Sequence, residues 1–305
     1  MGRPRVAVVG SYGVGLTFEV ADFPASGETV FAPSFRAEHG GKGSNQAVAA
    51  ARLGADVAFC TVLGDDAYAS DAAALWRREG VLAVTRRVPG QSTMAGAVLV
   101  EASGENRILV APGALAAFAP SDVRAFEAEI AASAVCLTQL EVPVEVAREA
   151  LLIARRHGVM TVLDPAPARS LDDEMLRLVD VLTPNLHEAL RLIEDDGLPA
   201  REAALALRRR SGGDVVVTLG ADGCLIATAS GVTHCPAVAA SAVVDTTGAG
   251  DAFAGALGMR LADGAGLLAA VRFAAAAAAR AVARRGVLDG LPYAADMAVH
   301  SGGRA

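Results

Sequence analysis

Short runs of β-branched and aliphatic residues alternate along this chain with longer stretches whose apolar positions recur every three to four residues. The runs cover residues 6–9, 57–62, 135–140, 160–163, 179–183 and 215–219. The spacing predicts helices over 44–53, 71–79, 142–157, 172–178, 186–193 and 201–210, followed by 249–262 and 266–284. Gly54, Gly80 and Gly158 stand just past the ends of three of them, where a helix commonly stops. Strands that are apolar throughout and separated by helices imply a parallel sheet covered on both faces, so the expectation is one α/β domain over residues 1–305.

Two regions break this rhythm. Residues 16–20 and 30–36 flank a turn cluster at 22–27, and residues 95–101 and 107–111 flank another at 103–106. They predict two hairpins, over about 12–38 and 93–112, that form a small β-sheet projecting from the main one. Such a sheet often serves as a lid or an oligomer contact.

Composition narrows the class. The chain has 305 residues, 53% hydrophobic, 20% charged and 4% aromatic, which excludes a largely disordered chain, a coiled coil and a disulfide scaffold. A formal net charge of −7 supplies no basic field, which excludes a nucleic-acid partner. The alanine-rich run 273–279 is far short of the roughly 20 apolar residues that a membrane span needs, so neither membrane nor targeting segment is expected and a cytoplasmic location is. Cys60, Cys136, Cys224 and Cys235 have no zinc or CxxC spacing. His39, His157, His187, His234 and His300 show no metal-binding spacing either. Among the 27 basic residues one is a lysine, Lys42, set in His39-Gly40-Gly41-Lys42-Gly43-Ser44-Asn45.

Five segments could carry chemistry. In Asp245-Thr246-Thr247-Gly248-Ala249-Gly250-Asp251, small residues precede a long helix. The N–H groups of Gly248, Ala249 and Gly250 can then converge on an anion, with Asp251 in the first turn as a proton acceptor. An acidic residue there also merely complements the helix dipole. The Lys42 segment is a glycine-rich turn into a helix, where a ligand can approach the backbone, although a turn needing positive φ would look the same. It is not a Walker A loop, since Gly43 follows the lysine. Gly10-Ser11-Tyr12-Gly13-Val14-Gly15 follows the first strand but leads into strand-like sequence, unlike a dinucleotide fingerprint. Asn185 and Glu188, three apart at a helix start, suit either a metal-bound water or a capping box. Thr218, Leu219, Gly220, Ala221, Asp222 and Gly223 join two strands and could close over a nucleotide or form an ordinary hairpin turn.

Taken in order, these segments resemble the ribokinase branch of the PfkB family of ATP-dependent carbohydrate kinases, over nearly the whole chain. The likeness rests on Gly40-Gly41-Lys42-Gly43-Ser44-Asn45-Gln46-Ala47, Gly64-Asp65-Asp66 and the Asp245 to Asp251 segment. Gln139-Leu140-Glu141, Asp164-Pro165-Ala166-Pro167-Ala168-Arg169 and Thr183-Pro184-Asn185 lie between them. The resemblance implies a three-layer α/β/α core with a mostly parallel sheet and a small β lid. It implies a kinase that phosphorylates the primary hydroxyl of a sugar, with Asp251 as base and Gly248, Ala249 and Gly250 as the anion hole. Gly40, Gly41, Lys42, Gly43, Asn45 and Glu141 match sugar-side positions. Asn185, Gly250 and residues 218–223 match the nucleotide side, and Glu188 matches a position associated with Mg²⁺ and phosphate. A K⁺ ion is implied near Asp245 and Thr247, with backbone oxygens around Ala281, Arg284, Gly286 and Gly290. A homodimer paired through the lids is implied as well.

One departure concerns the sugar. Ribokinases carry Asn and Asp where this chain has Gly13 and Gly15. A lost hydrogen bond to a charged group costs about 1.5–3 kcal/mol, so the acceptor can be a ketose, a deoxysugar or a nucleoside instead. A non-catalytic sugar-binding protein on the same scaffold is the alternative outside enzymes, and the presence of Asp251 argues against it.

Overall fold

The apolar runs become strands because they are buried from both sides, and the side-chain alternation sorts them into two layers. The strands are β1 (Arg5–Val9), β2 (Gly13–Val20), β3 (Ser34–Gly40), β4 (Asp56–Leu63), β5 (Val81–Arg87), β6 (Met94–Glu101) and β7 (Asn106–Ala111). They continue with β8 (Val135–Gln139), β9 (Met160–Asp164), β10 (Val181–Leu182), β11 (Asp214–Thr218), β12 (Cys224–Thr228) and β13 (Gly231–Cys235). The computed structural model describes residues 2–101, 103 and 105–297. The turn residue Gly104 and His300 lie outside them.

The main sheet has the order β13-β12-β11-β10-β9-β8-β1-β4-β5, parallel from β11 through β5, with β12 and β13 added antiparallel. In β1, Val6 and Val8 join the hydrophobic layer built with the helices Lys42–Arg52, Ala249–Ala262 and Leu267–Ala281. Ala7 and Val9 join the opposite layer, with the helix Val144–Arg156. This is a three-layer α/β/α core. The alanines of Leu267–Ala281 allow it to lie closely against Ala249–Ala262; Ala270, Ala274 and Ala277 are fully buried.

After β1 the chain builds outward through β4 and β5, then returns to place β8 on the other side of β1. That reversal makes the carboxyl ends of β1 and β8 a switch point, where an open α/β sheet leaves a crevice for ligand. A second sheet, β3-β2-β6-β7, stands apart from the main one, with β2 and β6 parallel between antiparallel neighbours.

Several boundaries differ from the sequence expectation. The strand predicted over 179–183 shortens to Val181–Leu182, because Asp180 turns its carboxylate back to the Thr161 N–H at 2.8 Å. The helix predicted from 71 starts at Ala67, where Asp66 caps it by accepting the Ala69 N–H at 3.0 Å. The strand predicted over 30–36 lies at Ser34–Gly40, and its polar residues hide the alternation. β5 was not expected; it is an edge strand whose Leu82 and Val84 are exposed. Short helices Pro120–Ala125 and Glu127–Ala131 were also not expected. Among the described residues no helix is long and apolar enough to cross a membrane.

Candidate active site

Gly41 enters the helix Lys42–Arg52 at φ 89°, ψ 122°, a backbone conformation that L side chains rarely adopt. The close approach continues at Gly43, where an added Cβ would lie 2.6 Å from Gly10 backbone atoms. The turn after β1 and this helix start are thus wedged together, with Ser11 donating to Glu141 Oε2 and accepting from the Gly43 N–H at 3.3 Å. Glu141, just after β8, also accepts the Lys42 N–H at 2.8 Å.

This wedge aims one face of the helix at Asp251, which sits in the first turn of Ala249–Ala262. Asn45 Nδ2 donates to Asp251 Oδ2 at 2.8 Å, and Gln46 Nε2 reaches Asp251 Oδ1 at 3.1 Å. Gln46 Nε2 also donates to Asp164 Oδ2 at 2.8 Å, at the end of β9. Gln139 Nε2, from the end of β8, donates to Gln46 Oε1 at 2.6 Å. Lys42 Nζ lies 3.6 Å from Asp164 Oδ2 and 3.9 Å from Asp251 Oδ1. Asn45 Oδ1 is buried without a protein partner. An unmatched acceptor beside a carboxylate is a place for a ligand hydroxyl to donate.

Burial pushes both carboxyls up to about 6. Lys42 pulls both down, while Asp164 adds to the rise at Asp251, and Glu188 and Glu141 add to it at Asp164. Burial works against the Lys42 charge, but Asp164, Asp251, Glu141 and Glu188 more than offset it and hold the ammonium above its ordinary range. Lys42 is therefore charged at neutral pH, while Asp251 is poised to exchange a proton just below it.

Gly248 caps the Ala249–Ala262 helix at φ 81°, ψ 0°. An added Cβ there would strike Val287 Cγ1 at 2.6 Å, so glycine is required for both backbone and space. The Ala249 N–H donates to Thr246 O at 3.2 Å and so does not face the opening as the sequence suggested. Among the described residues the N–H groups of Gly248, Gly250 and Asp251 have no protein acceptor. Gly250 is exposed, with nothing near the place of a Cβ. Unpaired N–H groups at a helix N-terminus, beside a carboxylate, are an arrangement able to receive an anion.

Asn185 and Glu188 form a reciprocal capping box: Asn185 N–H to Glu188 Oε2 and Glu188 N–H to Asn185 Oδ1, both 2.8 Å. Asn185 bridges to Thr218 at the end of β11, which brings residues 218–223 beside it. There Leu219, Gly220, Ala221, Asp222 and Gly223 form a tight turn closed by Leu219 N–H to Gly223 O at 2.8 Å.

Asp245 accepts the Thr247 N–H at 2.9 Å and the Gly286 N–H at 3.0 Å, tying the loop before Gly248 to the segment after Ala281. Although burial acts the other way, these N–H groups and Arg285 hold the Asp245 carboxyl below its usual range. At Gly290 an added Cβ would lie 2.9 Å from Ala281 O, a cradle that a side chain would fill. Arg284 lies in the same segment, its side chain 3.3 Å from Asp296.

Gly13 and Gly15 lie in β2 rather than in a free turn, opposite Gly40 and Glu38 of β3. Gly15, Thr17 and Glu19 share a face with Glu38, Arg36 and Ser34, since directly paired residues point the same way. That face looks toward the Asp245 loop: Glu19 accepts from Arg285 at 2.9 Å, and Glu38 Oε1 is 3.1 Å from the place of a Gly286 Cβ. At Gly15 a Cβ would meet nothing closer than 3.9 Å. At Gly13 it would meet Met94 O at 2.8 Å, so this position is closed.

The structure therefore gathers Lys42, Asn45, Glu141 and Asp251 into one cluster, with Gly40, Gly41 and Gly43 shaping it. Sequence reasoning gave no role to Ser11, Gln46, Gln139 or Asp164. The signal available was an amide or carboxylate side chain closing a mostly apolar strand, as Gln139 and Asp164 do. All four cysteines are buried, and Cys224 and Cys235, eleven residues apart, stand opposite each other between β12 and β13.

Comparison with known proteins bears on what this arrangement does. The family model for pfkB family carbohydrate kinases matches residues 3–294. The ribokinase of Haemophilus influenzae is 36% identical over 294 residues, covering 95% of this chain and 96% of that one. The deoxyribokinase of Salmonella typhimurium is 34% identical over 295 residues, covering 94% and 95%. The structure of Arabidopsis thaliana ribokinase complexed with ribose and ATP superposes with a TM-score of 0.91, at 29% identity, over 97% of this chain and 98% of that one.

Proposed function

The chain belongs to the pfkB family of carbohydrate kinases and is an ATP-dependent sugar kinase, and we propose that Asp251 is the base that takes the proton of a primary sugar hydroxyl. The observation that carries this reading is the Asp251 carboxylate, held by Asn45, Gln46 and Lys42 beside the free N–H groups of Gly248 and Gly250. In the transfer the acceptor oxygen gives its proton to Asp251 and forms a bond to the γ-phosphorus of ATP. The bond from that phosphorus to the bridging oxygen breaks, and ADP leaves. The N–H groups of Gly248, Gly250 and Asp251 stabilise the charge on the phosphoryl oxygens as it passes.

Asn45 Oδ1 accepts from an acceptor hydroxyl, and Glu141 holds the Lys42 turn on the sugar side. Asn185 and residues 218–223 face the nucleotide. The capping box occupies only Oε2 of Glu188, leaving Oε1 for a water on Mg²⁺, and Glu188 acts electrostatically on both Lys42 and Asp164. Bound Mg²⁺ would neutralise phosphate charge. A K⁺ ion would be held by the Asp245 and Thr247 loop and by carbonyl oxygens of Ala281, Arg284, Gly286 and Gly290; in support, Asp245 ties that loop to Gly286, and the bare Gly290 leaves space beside Ala281 O. Turnover in potassium chloride is expected to exceed that in choline chloride of equal ionic strength; equal rates would rule the ion out.

Pairing of two copies through the small sheet is supported by its exposed apolar residues, Ile108 at 62%, Leu109 at 75%, Phe35 at 57% and, in the preceding loop, Phe31 at 96%.

The open space at Gly15 favours an acceptor whose hydroxyls are not gripped from β2, such as a deoxysugar or a ketose, over ribose. ADP release measured across pentoses, deoxysugars, ketoses and nucleosides tests this, and a clear preference for ribose would overturn it. Gly15→Asp fits the open position and is expected to raise the ribose to 2-deoxyribose ratio of kcat/KM by about tenfold or more, the worth of one hydrogen bond to a charged group. An unchanged ratio would show that β2 does not choose the acceptor. Gly13→Asn is expected to fail for a separate reason, its contact with Met94.

A further inference from the structure

The buried carboxylate that no step above uses is Asp164. It ends β9, is 6% exposed, and touches the base only through intermediaries. One amide nitrogen, Gln46 Nε2, donates to Asp164 Oδ2 at 2.8 Å and to Asp251 Oδ1 at 3.1 Å. One ammonium, Lys42 Nζ, lies 3.6 Å and 3.9 Å from the same two oxygens. Gln139 fixes the bridge by donating to Gln46 Oε1 at 2.6 Å, which leaves Nε2 no choice but to face the carboxylates.

A neutral side chain could have closed β9. With Asp251 alone, Lys42 would form a private ion pair with the base, and a carboxylate tied to its own cation is a poor proton acceptor. A second carboxylate drawing on the same lysine divides that attraction. It also gives the Gln46 amide a second acceptor, so the amide spans both groups instead of closing on one.

We propose that Asp164 is a positioning residue for phosphoryl transfer: through Lys42 and Gln46 it fixes the orientation and the charge state of Asp251. The inference rests on Asp251 being the base. The groups that face Asp251 are Lys42, Asp164, Asn45 and Gln46, and those that face Asp164 are Lys42, Gln46, Glu188 and Glu141. Burial raises both carboxyls, with Asp164 adding to the rise at Asp251, which agrees with the shared cation being insufficient for two full charges.

A base must be deprotonated to act, so kcat falls as pH drops through the value at which Asp251 takes a proton. Asp164→Asn removes the neighbouring negative charge and leaves Lys42 to Asp251 alone, and both changes make Asp251 easier to ionise. The acid limb of the kcat profile is therefore expected to move to lower pH. A shift of about one pH unit would leave the variant about fivefold more of its plateau activity at pH 5 than the wild type keeps of its own. A purely structural role for Asp164 would lower kcat alike at every pH. An unmoved limb, or one displaced upward, overturns the proposal.

Should Asp164→Asn fail to fold, the wild-type protein decides. Carbon-13 NMR of aspartate-labelled enzyme should show the Asp251 carboxyl signal, assigned through its absence in Asp251→Asn, responding in two steps as the pair titrates. A single-step response overturns the proposal. Full activity in Asp251→Asn would instead remove the reading of Asp251 as base, so the two failures are distinguishable.

Discussion

Asp251→Asn is expected to reduce kcat by about 10²- to 10⁴-fold, the range a positioned general base contributes. The substitution keeps the size of the side chain and an oxygen to accept from Asn45 Nδ2. It also removes a charge from a buried site where burial itself opposes ionisation, so thermal stability near neutral pH should hold or rise. KM for the acceptor is expected to change little, because Lys42, Asn45 and Glu141 remain. Coupled ADP release with the preferred acceptor, alongside a melting curve, makes the measurement. A kcat within tenfold of wild type in a folded variant would mean that the proton leaves by another route.

Lys42→Met should have the largest effect on stability. Lys42 is the cation shared by two buried carboxylates, and removing it leaves both uncompensated. Breaking a fully buried pair costs about 3–5 kcal/mol, and the side chain of Lys42 is 27% exposed, so about 2–3 kcal/mol is expected at pH 8. The loss must depend on pH. Asp164 and Asp251 already have their carboxyls at about 6, above the unfolded range, and without Lys42 they rise further. Carboxyls raised on folding favour the native state at low pH and oppose it as pH climbs through the raised values. The variant should therefore melt well below wild type at pH 8 and close to it at pH 5. Equal losses at both values would show that Lys42 acts through packing alone. Lys42→Arg is not a conservative control, since a planar fork cannot sit between the two oxygens as a compact ammonium does.

The layers and the parallel sheet were legible because burial writes a periodicity, and the helix at Ala249–Ala262 was read to the residue. What periodicity could not convey is partnership across the chain. Gln46, Gln139 and Asp164 were visible as letters, yet their meaning comes from meeting at one carboxylate. Ala249 was expected among the anion donors on its position, but a local turn to Thr246 takes its N–H. Asn185 and Glu188 kept both meanings that the sequence allowed, since a capping box leaves one carboxylate oxygen unused. The lone lysine was the most informative single letter: in a chain that otherwise uses arginine, it marks a place where a small, rotatable charge has to serve two acceptors.

The bonds that assemble this cluster also have a bearing on how the protein forms. Asn45 and Asp251 are separated by 206 residues, and Gln46 and Asp164 by 118. Such contacts close late, after local helices and hairpins, because the entropy of long loops is lost before they reward it. Catalytic competence thus requires the helix Ala249–Ala262 to dock against Lys42–Arg52, and a nascent chain that has built β1 through β9 still lacks Asp251. In refolding, return of activity should trail both return of secondary structure and burial of Trp76, whose indole N–H donates to Ser44 Oγ of the helix Lys42–Arg52 at 2.9 Å, a contact of only 32 residues' separation.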